Sequence, residues 1–264
     1  MRIHLASGSG NVFAYVWADE VPPSFDGPEW ARRLCPRGIG FGLDGLFLLR
    51  RPGAEPWIMD HWDADGAYSF CSNGTRAALA LDGAPAGGVI EAVSSGERVR
   101  LRRDADGVGL RMPEGGECGL RPLPVAIPFP GGFGWVGNPQ LVLRVAKVAE
   151  VDLAALAPPL RHHPAFAGGT NVNVVEVLGP GEARIRSWER GVEGETLCCG
   201  TGCAVAAAWL ARTEGGTRWR FRNESPDPVV VTLEPAGEGW RDLWLAGPLR
   251  RLGVVEPDAS LGLG

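Results

Sequence analysis

One short pattern occurs twice in this chain, and that repeat constrains the fold more than any other feature. Cys71-Ser72-Asn73-Gly74-Thr75-Arg76-Ala77-Ala78 is echoed by Cys199-Gly200-Thr201-Gly202-Cys203-Ala204-Val205-Ala206. Each reads cysteine, two small or polar residues, glycine, and then an alanine-rich run of helical character. A thiol is therefore expected at the start of a helix in each of two separated halves of the chain. A helix start lowers a thiol's pKa and offers free backbone N–H groups to an anion. Two such starts facing each other would hold a carboxylate between two poised sulfurs.

The rest of the chain is cut short by its 39 glycines and 22 prolines, and most of the resulting segments have strand character. Strands are expected over 89–93, 98–103, 108–112, 140–145, 172–178, 184–188 and 229–233, with a hairpin turn at Asp104-Ala105-Asp106-Gly107. Helices are expected over 29–34, 73–81, 152–156 and 201–212. The Gly- and Pro-dense stretch 113–134 reads as the domain boundary, with 131–134 as a hinge. The expected fold is α+β: two similar pseudo-symmetric domains, each a curved, mostly antiparallel sheet around a central small-residue helix. The first domain spans 1–120 and carries Cys71; the second spans 121–250 and carries Cys199. A C-terminal strand over 251–257 pairs back onto the first domain. Burial alone would account for Ala204, Ala206, Ala207 and Ala208.

Composition removes several classes of function. A net charge of −5 argues against nucleic acid as a partner, because phosphate binding needs a basic surface. No apolar run is long enough to span a bilayer and the N-terminus lacks a signal-peptide pattern, so the expected location is the cytoplasm. Six cysteines without a secretion signal read as thiols, not as a disulfide framework. Cys-x-x-Cys does not occur, which weakens zinc-ribbon and thioredoxin readings. Lys147 is the only lysine and has no supporting site chemistry nearby, so a pyridoxal-phosphate enzyme is not expected. Cys35, Cys118, Cys198 and Cys203 read as small buried hydrophobes. His162-His163 falls in a loop before Pro164, with poor spacing for zinc, and no metal is expected.

Two opposed thiols suit inversion at a carbon next to a carboxylate. One thiolate takes the α-proton from one face and the other, as a thiol, returns a proton to the opposite face. N–H groups at both helix starts would stabilise the charge as the carbanion develops. That scheme needs no cofactor. The rival reading is a redox protein in which Cys71 and Cys199 form a switchable disulfide.

Further motifs accompany the cysteines, in order: Gly8-Ser9-Gly10-Asn11-Val12-Phe13, Gly40-Phe41-Gly42-Leu43-Asp44-Gly45, Asp63-Ala64-Asp65-Gly66, Gly137-Asn138-Pro139-Gln140 and Gly169-Thr170-Asn171-Val172-Asn173. The run Glu189-Arg190-Gly191-Val192-Glu193-Gly194-Glu195-Thr196-Leu197-Cys198-Cys199-Gly200-Thr201-Gly202 is the most specific of all. Through these the chain resembles the diaminopimelate epimerases over most of its length. The resemblance implies a cofactor-independent epimerase acting on LL-diaminopimelate, with Cys71 and Cys199 as its acid–base residues. It selects Cys199 over Cys198 because Cys199 directly precedes Gly-Thr-Gly. It implies that N–H groups of Ser72, Asn73, Gly200 and Thr201 hold the reacting carboxylate, and that Asn11, Asp63, Asn138, Asn171, Glu189 and Arg190 meet the rest of the substrate. Arg190 suits a distal carboxylate through its planar fork. Dimers occur in the family, so a homodimer is the expectation by analogy.

The departures from the family pattern gather in the site. Asp63 stands where an Asn is usual, and an ionised carboxylate accepts hydrogen bonds but cannot donate them. It favours an ammonium, so a related racemase for an amino acid with a cationic side chain is the nearest alternative. Gln140 replaces a His that helps set the thiol pKa values in the family, a tuning role that Glu189 shares. Glutamine can hydrogen-bond but cannot titrate. Ser72 replaces a Gly and narrows the pocket, and Val12 stands where Asp is usual.

Overall fold

The structure is a computed structural model that describes residues 1–53, 56–86, 88–113, 118–127, 129–258 and 263. Its elements begin with β1 (Ile3–Gly8), β2 (Asn11–Trp17), α1 (Gly27–Leu34), β3 (Gly45–Leu49), β4 (Trp57–Asp63), α2 (Ser72–Ala77), β5 (Val89–Ser94), β6 (Glu97–Asp104) and β7 (Gly107–Arg111). They continue with β8 (Gly119–Arg121), β9 (Gly131–Trp135), β10 (Pro139–Arg144), α3 (Leu153–Arg161), β11 (Asn171–Gly179), β12 (Glu182–Glu189) and β13 (Gly194–Thr196). The last are α4 (Gly200–Thr213), β14 (Arg218–Arg222), β15 (Val229–Ala236), β16 (Gly239–Gly247) and β17 (Leu249–Val255). The chain divides into two compact units, Met1–Leu110 with Pro248–Gly264, and Arg111–Gly247. The Gly- and Pro-dense segment 113–134 includes residues 114–117 and 128, which lie outside the described residues.

The two units repeat one strand pattern. In the first, neighbours run β17–β1–β2–β3–β4–β5–β6, paired antiparallel, antiparallel, parallel, antiparallel, parallel, antiparallel. In the second, β8–β9–β10–β11–β12–β14–β15 shows the same succession of senses, and β16 adds one further antiparallel strand. A parallel pair needs a long crossover, usually helical. All four crossovers here carry a helix: α1 and α2 in the first unit, α3 and α4 in the second. Each Cys-headed helix thus occupies the second crossover of its unit.

Local chemistry explains the helix starts. Asp26 caps α1 by accepting from Glu29 N at 2.9 Å, and Asp152 caps α3 by accepting from Ala155 N at 3.0 Å. The α3 helix runs past the expected end at Leu156 and takes Pro158 and Pro159 into its interior. Leu153, Ala157 and Arg161, four residues apart, are buried along one face, and Leu153 and Ala157 join a core with Leu141, Leu143, Val172, Val174 and Phe166. That burial outweighs the helical hydrogen bonds which the two prolines cannot make.

The α4 helix is the hub of its unit and packs against β8, β9, β10, β11, β14, β15 and β16. Its Ala204, Ala206, Ala207 and Ala208 are fully buried, because a helix enclosed by sheet leaves no room for larger side chains. Glycines on β9 complete the fit: a Cβ on Gly132 would lie 2.4 Å from the Trp209 ring, and one on Gly134 2.7 Å from Val205. This corrects the hinge expected at 131–134. The segment is a strand paired with both β8 and β10, and its glycines serve close packing. No helix among the described residues is long and apolar enough to cross a membrane.

Candidate active site

Each cysteine turn is built from its own unit. Cys71 is the N-cap residue of α2, in extended conformation at φ −124° and ψ 111°, and its carbonyl accepts from Thr75 N and Thr75 Oγ1. Ser72 and Asn73 are buried in the first turn, while Cys71 is half-buried. Asn73 Nδ2 donates to Asn11 Oδ1 at 2.9 Å, which ties the turn to the start of β2. Arg76, fully buried, donates to Asn73 Oδ1 at 3.0 Å and Ser9 Oγ at 2.7 Å. Gly74 is required here, since a Cβ would lie 2.3 Å from the Phe47 ring.

Asp63 ends β4 with its side chain 48% exposed. Partial burial raises its carboxyl pKa, a Ser69 hydrogen bond opposes this, and Asp65 adds to the rise. Behind it His61 is fully buried, its Nδ1 3.1 Å from the Ser69 carbonyl oxygen, so Nδ1 carries the proton. Burial holds the His61 pKa down at about 4, and the ring is neutral at physiological pH.

Cys199 is the N-cap residue of α4 at φ −103° and ψ 104°, buried to 3% exposure. Cys198 instead hydrogen-bonds Cys203. Burial pushes the Cys199 thiol well above its ordinary range and the Glu189 charge adds to this, while hydrogen bonds from Thr201 and Gly202 pull it down. Gln140 Nε2 donates to Thr201 Oγ1 and Asn138 Oδ1, each at 2.8 Å, and approaches Cys199 Sγ at 3.8 Å. Thr201 Oγ1 lies 3.5 Å from the same sulfur. Asn171 Oδ1 accepts from Arg190 N at 2.7 Å, and its Nδ2 donates to the Pro139 carbonyl at 3.2 Å. Glu189 accepts from Thr196 Oγ1 at 2.5 Å, and Arg190 is exposed, with Nη1 3.5 Å from the Gly168 carbonyl.

The structure therefore joins Asn11 and Asn73 beside Cys71 and Ser72, and joins Asn138, Gln140 and Thr201 beside Cys199 and Gly200. Asn171 and Arg190 form a neighbouring pair, whereas Asp63 bonds Ser69. Sequence reasoning passed over Asn173 and Ser187. Asn173 Nδ2 donates to Gln140 Oε1 at 2.8 Å and the Leu141 carbonyl at 3.0 Å, and its Oδ1 accepts from Ser187 Oγ at 2.7 Å. The signal was present: Asn171 and Asn173 sit two apart on a strand and share a face. His162, expected in a loop, caps the end of α3 and lies 3.3 Å from Glu193.

Register makes the two units comparable residue by residue. Phe13 pairs with Gly45 as Gln140 pairs with Asn171, so Phe47 corresponds to Asn173. Across the next antiparallel pair, Phe47 faces His61 as Asn173 faces Ser187, and Gly45 faces Asp63. Gly202 repeats the role of Gly74, because a Cβ there would lie 2.2 Å from Asn173 Oδ1. Phe13, Phe47 and His61 thus occupy the positions that Gln140, Asn173 and Ser187 hold in the second unit.

Comparison with known proteins bears on this arrangement. A family model described as diaminopimelate epimerase matches residues 135–238. A diaminopimelate epimerase from Gemmatimonas aurantiaca is 34% identical over 247 residues, covering 87% of each chain. Another, from Desulforudis audaxviator, is 33% identical over 268 residues, covering 91% of this chain and 93% of the relative. The chain belongs to the diaminopimelate epimerase family. It is thus an isomerase. Among solved structures, a phenazine biosynthesis protein of the PhzF family from Bacillus anthracis has a TM-score of 0.70 at 14% identity, covering 98% of this chain and 99% of that one. A hydroxyproline epimerase from Agrobacterium vitis has a TM-score of 0.64 at 14% identity, covering 97% and 91%. At such identities the likeness is one of fold, and it is the α+β fold of paired pseudo-symmetric domains.

Proposed function

We propose that this chain interconverts LL- and meso-diaminopimelate without a cofactor, with Cys71 and Cys199 as its two acid–base groups. One observation carries the reading: each cysteine is the N-cap residue of the helix in the second crossover of its unit. Such a position combines a thiol with the free N–H groups of a helix's first turn, a combination suited to a substrate carboxylate. Ser72, Asn73, Gly200 and Thr201 supply those donors. Asn11, Asp63, Asn138, Asn171, Glu189 and Arg190 meet the remainder of the substrate.

In the reaction a thiolate takes the α-proton and becomes a thiol, and the C–H electron pair stays on carbon, delocalised into the carboxylate. The second thiol then donates its proton to the opposite face and becomes a thiolate. Each turnover leaves the two protonation states exchanged. In the free protein Cys199 is held as the thiol, since burial and the Glu189 charge both disfavour its anion. It is the natural donor of the first half-cycle. Gln140 takes part in this tuning by donating a hydrogen bond without gaining or losing a proton.

The test is isotope exchange. Purified enzyme with LL-diaminopimelate in D₂O should wash deuterium into the α-position and form the meso isomer. Absence of both exchange and meso product would overturn the substrate assignment. A second reading rests on Asp63, whose half-exposed carboxylate prefers an ammonium to a distal carboxylate. It predicts racemisation of lysine, ornithine or arginine by the same two thiols, with diaminopimelate inert.

A further inference from the structure

Behind Cys199 the fully buried Ser187, Asn173 and Gln140 and the half-buried Thr201 form a chain of hydrogen bonds that runs in one direction toward the sulfur. The Leu141 carbonyl can only accept, so the Asn173 group 3.0 Å from it is the NH₂. Asn173 Oδ1 is then the acceptor for the Ser187 hydroxyl at 2.7 Å, and Nδ2 donates to Gln140 Oε1 at 2.8 Å. That leaves Gln140 only its NH₂ to offer in the other direction. It donates to Thr201 Oγ1 at 2.8 Å, which frees the Thr201 hydroxyl proton for Cys199 Sγ at 3.5 Å. We infer that Asn173 is a positioning residue: anchored by the Leu141 carbonyl, it fixes the Gln140 amide with its donor end toward the Cys199 sulfur. This rests on the reading of Cys199 as an acid–base group.

Two further observations support it. The fold does not require polar residues here, since the first unit fills the register-equivalent positions with Phe13, Phe47 and His61. A buried ladder of two amides and a hydroxyl costs desolvation at every member, a cost that Phe13 and Phe47 avoid and only His61 shares, so its presence calls for a reason of its own. Gly202 also makes room for it, as any side chain at that position would strike Asn173 Oδ1. Among the described residues, the titratable groups that interact electrostatically with Cys199 are Glu189 at the end of β12 and the thiols of Cys198 and, on α4, Cys203. Asn138, Gln140, Asn171 and Asn173, on and around β10 and β11, are all neutral. A donor chain aligned in one direction strengthens each of its members and favours the thiolate at its end.

The experiment is the pH dependence of Cys199 alkylation by iodoacetamide, followed by peptide mass spectrometry in the intact protein. Asn173→Ala should raise the midpoint by about half to one pH unit, or slow alkylation roughly three- to tenfold at a fixed pH below it. Gln140→Met should produce a shift of the same sign. In Gln140→Met the further change Asn173→Ala should add nothing, because Asn173 acts only through Gln140. Asn173→Leu is close to the residue's shape, adds no charge that would raise the thiol pKa by itself, and serves if the alanine variant does not fold. It cannot donate to Gln140, so the amide is no longer held and the midpoint again rises. An unshifted midpoint in a folded Asn173 variant, or additive shifts in the double variant, overturns the inference. The readout needs no turnover. Full epimerase activity in Cys199→Ser would instead overturn the functional reading and leave the alkylation result standing.

Discussion

Behind the first turn of α2 lie three rings: Phe13 and Phe47 with centroids 5.5 Å apart in edge contact, and His61 stacked on Phe47 at 4.4 Å. Behind the first turn of α4, at the same register positions, lie Gln140, Asn173 and Ser187, joined by hydrogen bonds. The strand pattern, the crossover and the cysteine cap are shared, but the backing is a ring cluster in one unit and a hydrogen-bonded ladder in the other. The ring cluster stabilises by burial and dispersion, and its one polar member, His61, is oriented toward Ser69. A polar backing contributes little net stability, because its hydrogen bonds mainly replace bonds to water, but it has a direction. The comparison separates two tasks of one scaffold: holding a helix start in place, and setting the electrostatics of the sulfur that caps it.

The largest expected effect tests what the two units share. Cys71→Ser and Cys199→Ser should each lower epimerase activity by about 10²–10⁴-fold, the range for loss of one acid–base group. A large loss in one variant and none in the other would break the symmetry of roles. Next, Phe47→Asn, which places the second unit's residue in the first, should cost about 3–5 kcal/mol in urea unfolding. A cost below about 1 kcal/mol would mean that the aromatic backing does not stabilise its unit.

A difference of up to about 3 kcal/mol attends acid. His61 has a folded pKa of about 4 against an ordinary 6.5, so the unfolded chain binds the extra proton between those values. Its contribution is full above about pH 6.5 and is lost as the pH falls toward about 4. Thermal unfolding of the wild type across this range should decline more steeply than that of His61→Phe; parallel curves would remove His61 from the account. The smallest contrast lies in the paired glycines. Gly74→Ala drives a Cβ into the stacked Phe47 ring and should cost about 1–3 kcal/mol. Gly202→Ala instead displaces an amide held by three buried hydrogen bonds, so its stability loss should be similar, but only there should Cys199 alkylation slow.

Much of this protein could be read from residues in order. The strands expected over 89–93, 98–103, 140–145, 172–178, 184–188 and 229–233 appear as β5, β6, β10, β11, β12 and β15, because alternation between Gly and Pro breaks is a local signal. The Cys-headed helices were legible for the same reason, through small residues, a leading glycine and an alanine run. The length of α3 was not, since its prolines argue for an end at Leu156 and only packing against β10, β11 and β13 argues otherwise. The glycines at 131–134 looked like a hinge because nothing in their neighbourhood announces Trp209 and Val205 on a helix about seventy residues away.

The sequence by itself determined that two thiols cap two helices in two similar halves, and its motifs placed the chain in its family. Those are properties of short segments, in which composition and spacing act directly on the backbone. Only the tertiary structure decided what stands behind each thiol. The equivalence of Phe47 with Asn173, and of His61 with Ser187, exists through strand register, which pairs residues far apart in the chain. The direction of the Ser187–Asn173–Gln140–Thr201 chain depends on the backbone carbonyl of Leu141, a group every residue carries and no sequence pattern marks. Burial then converts these placements into chemistry, because it turns an ordinary histidine neutral and lifts the Cys199 thiol.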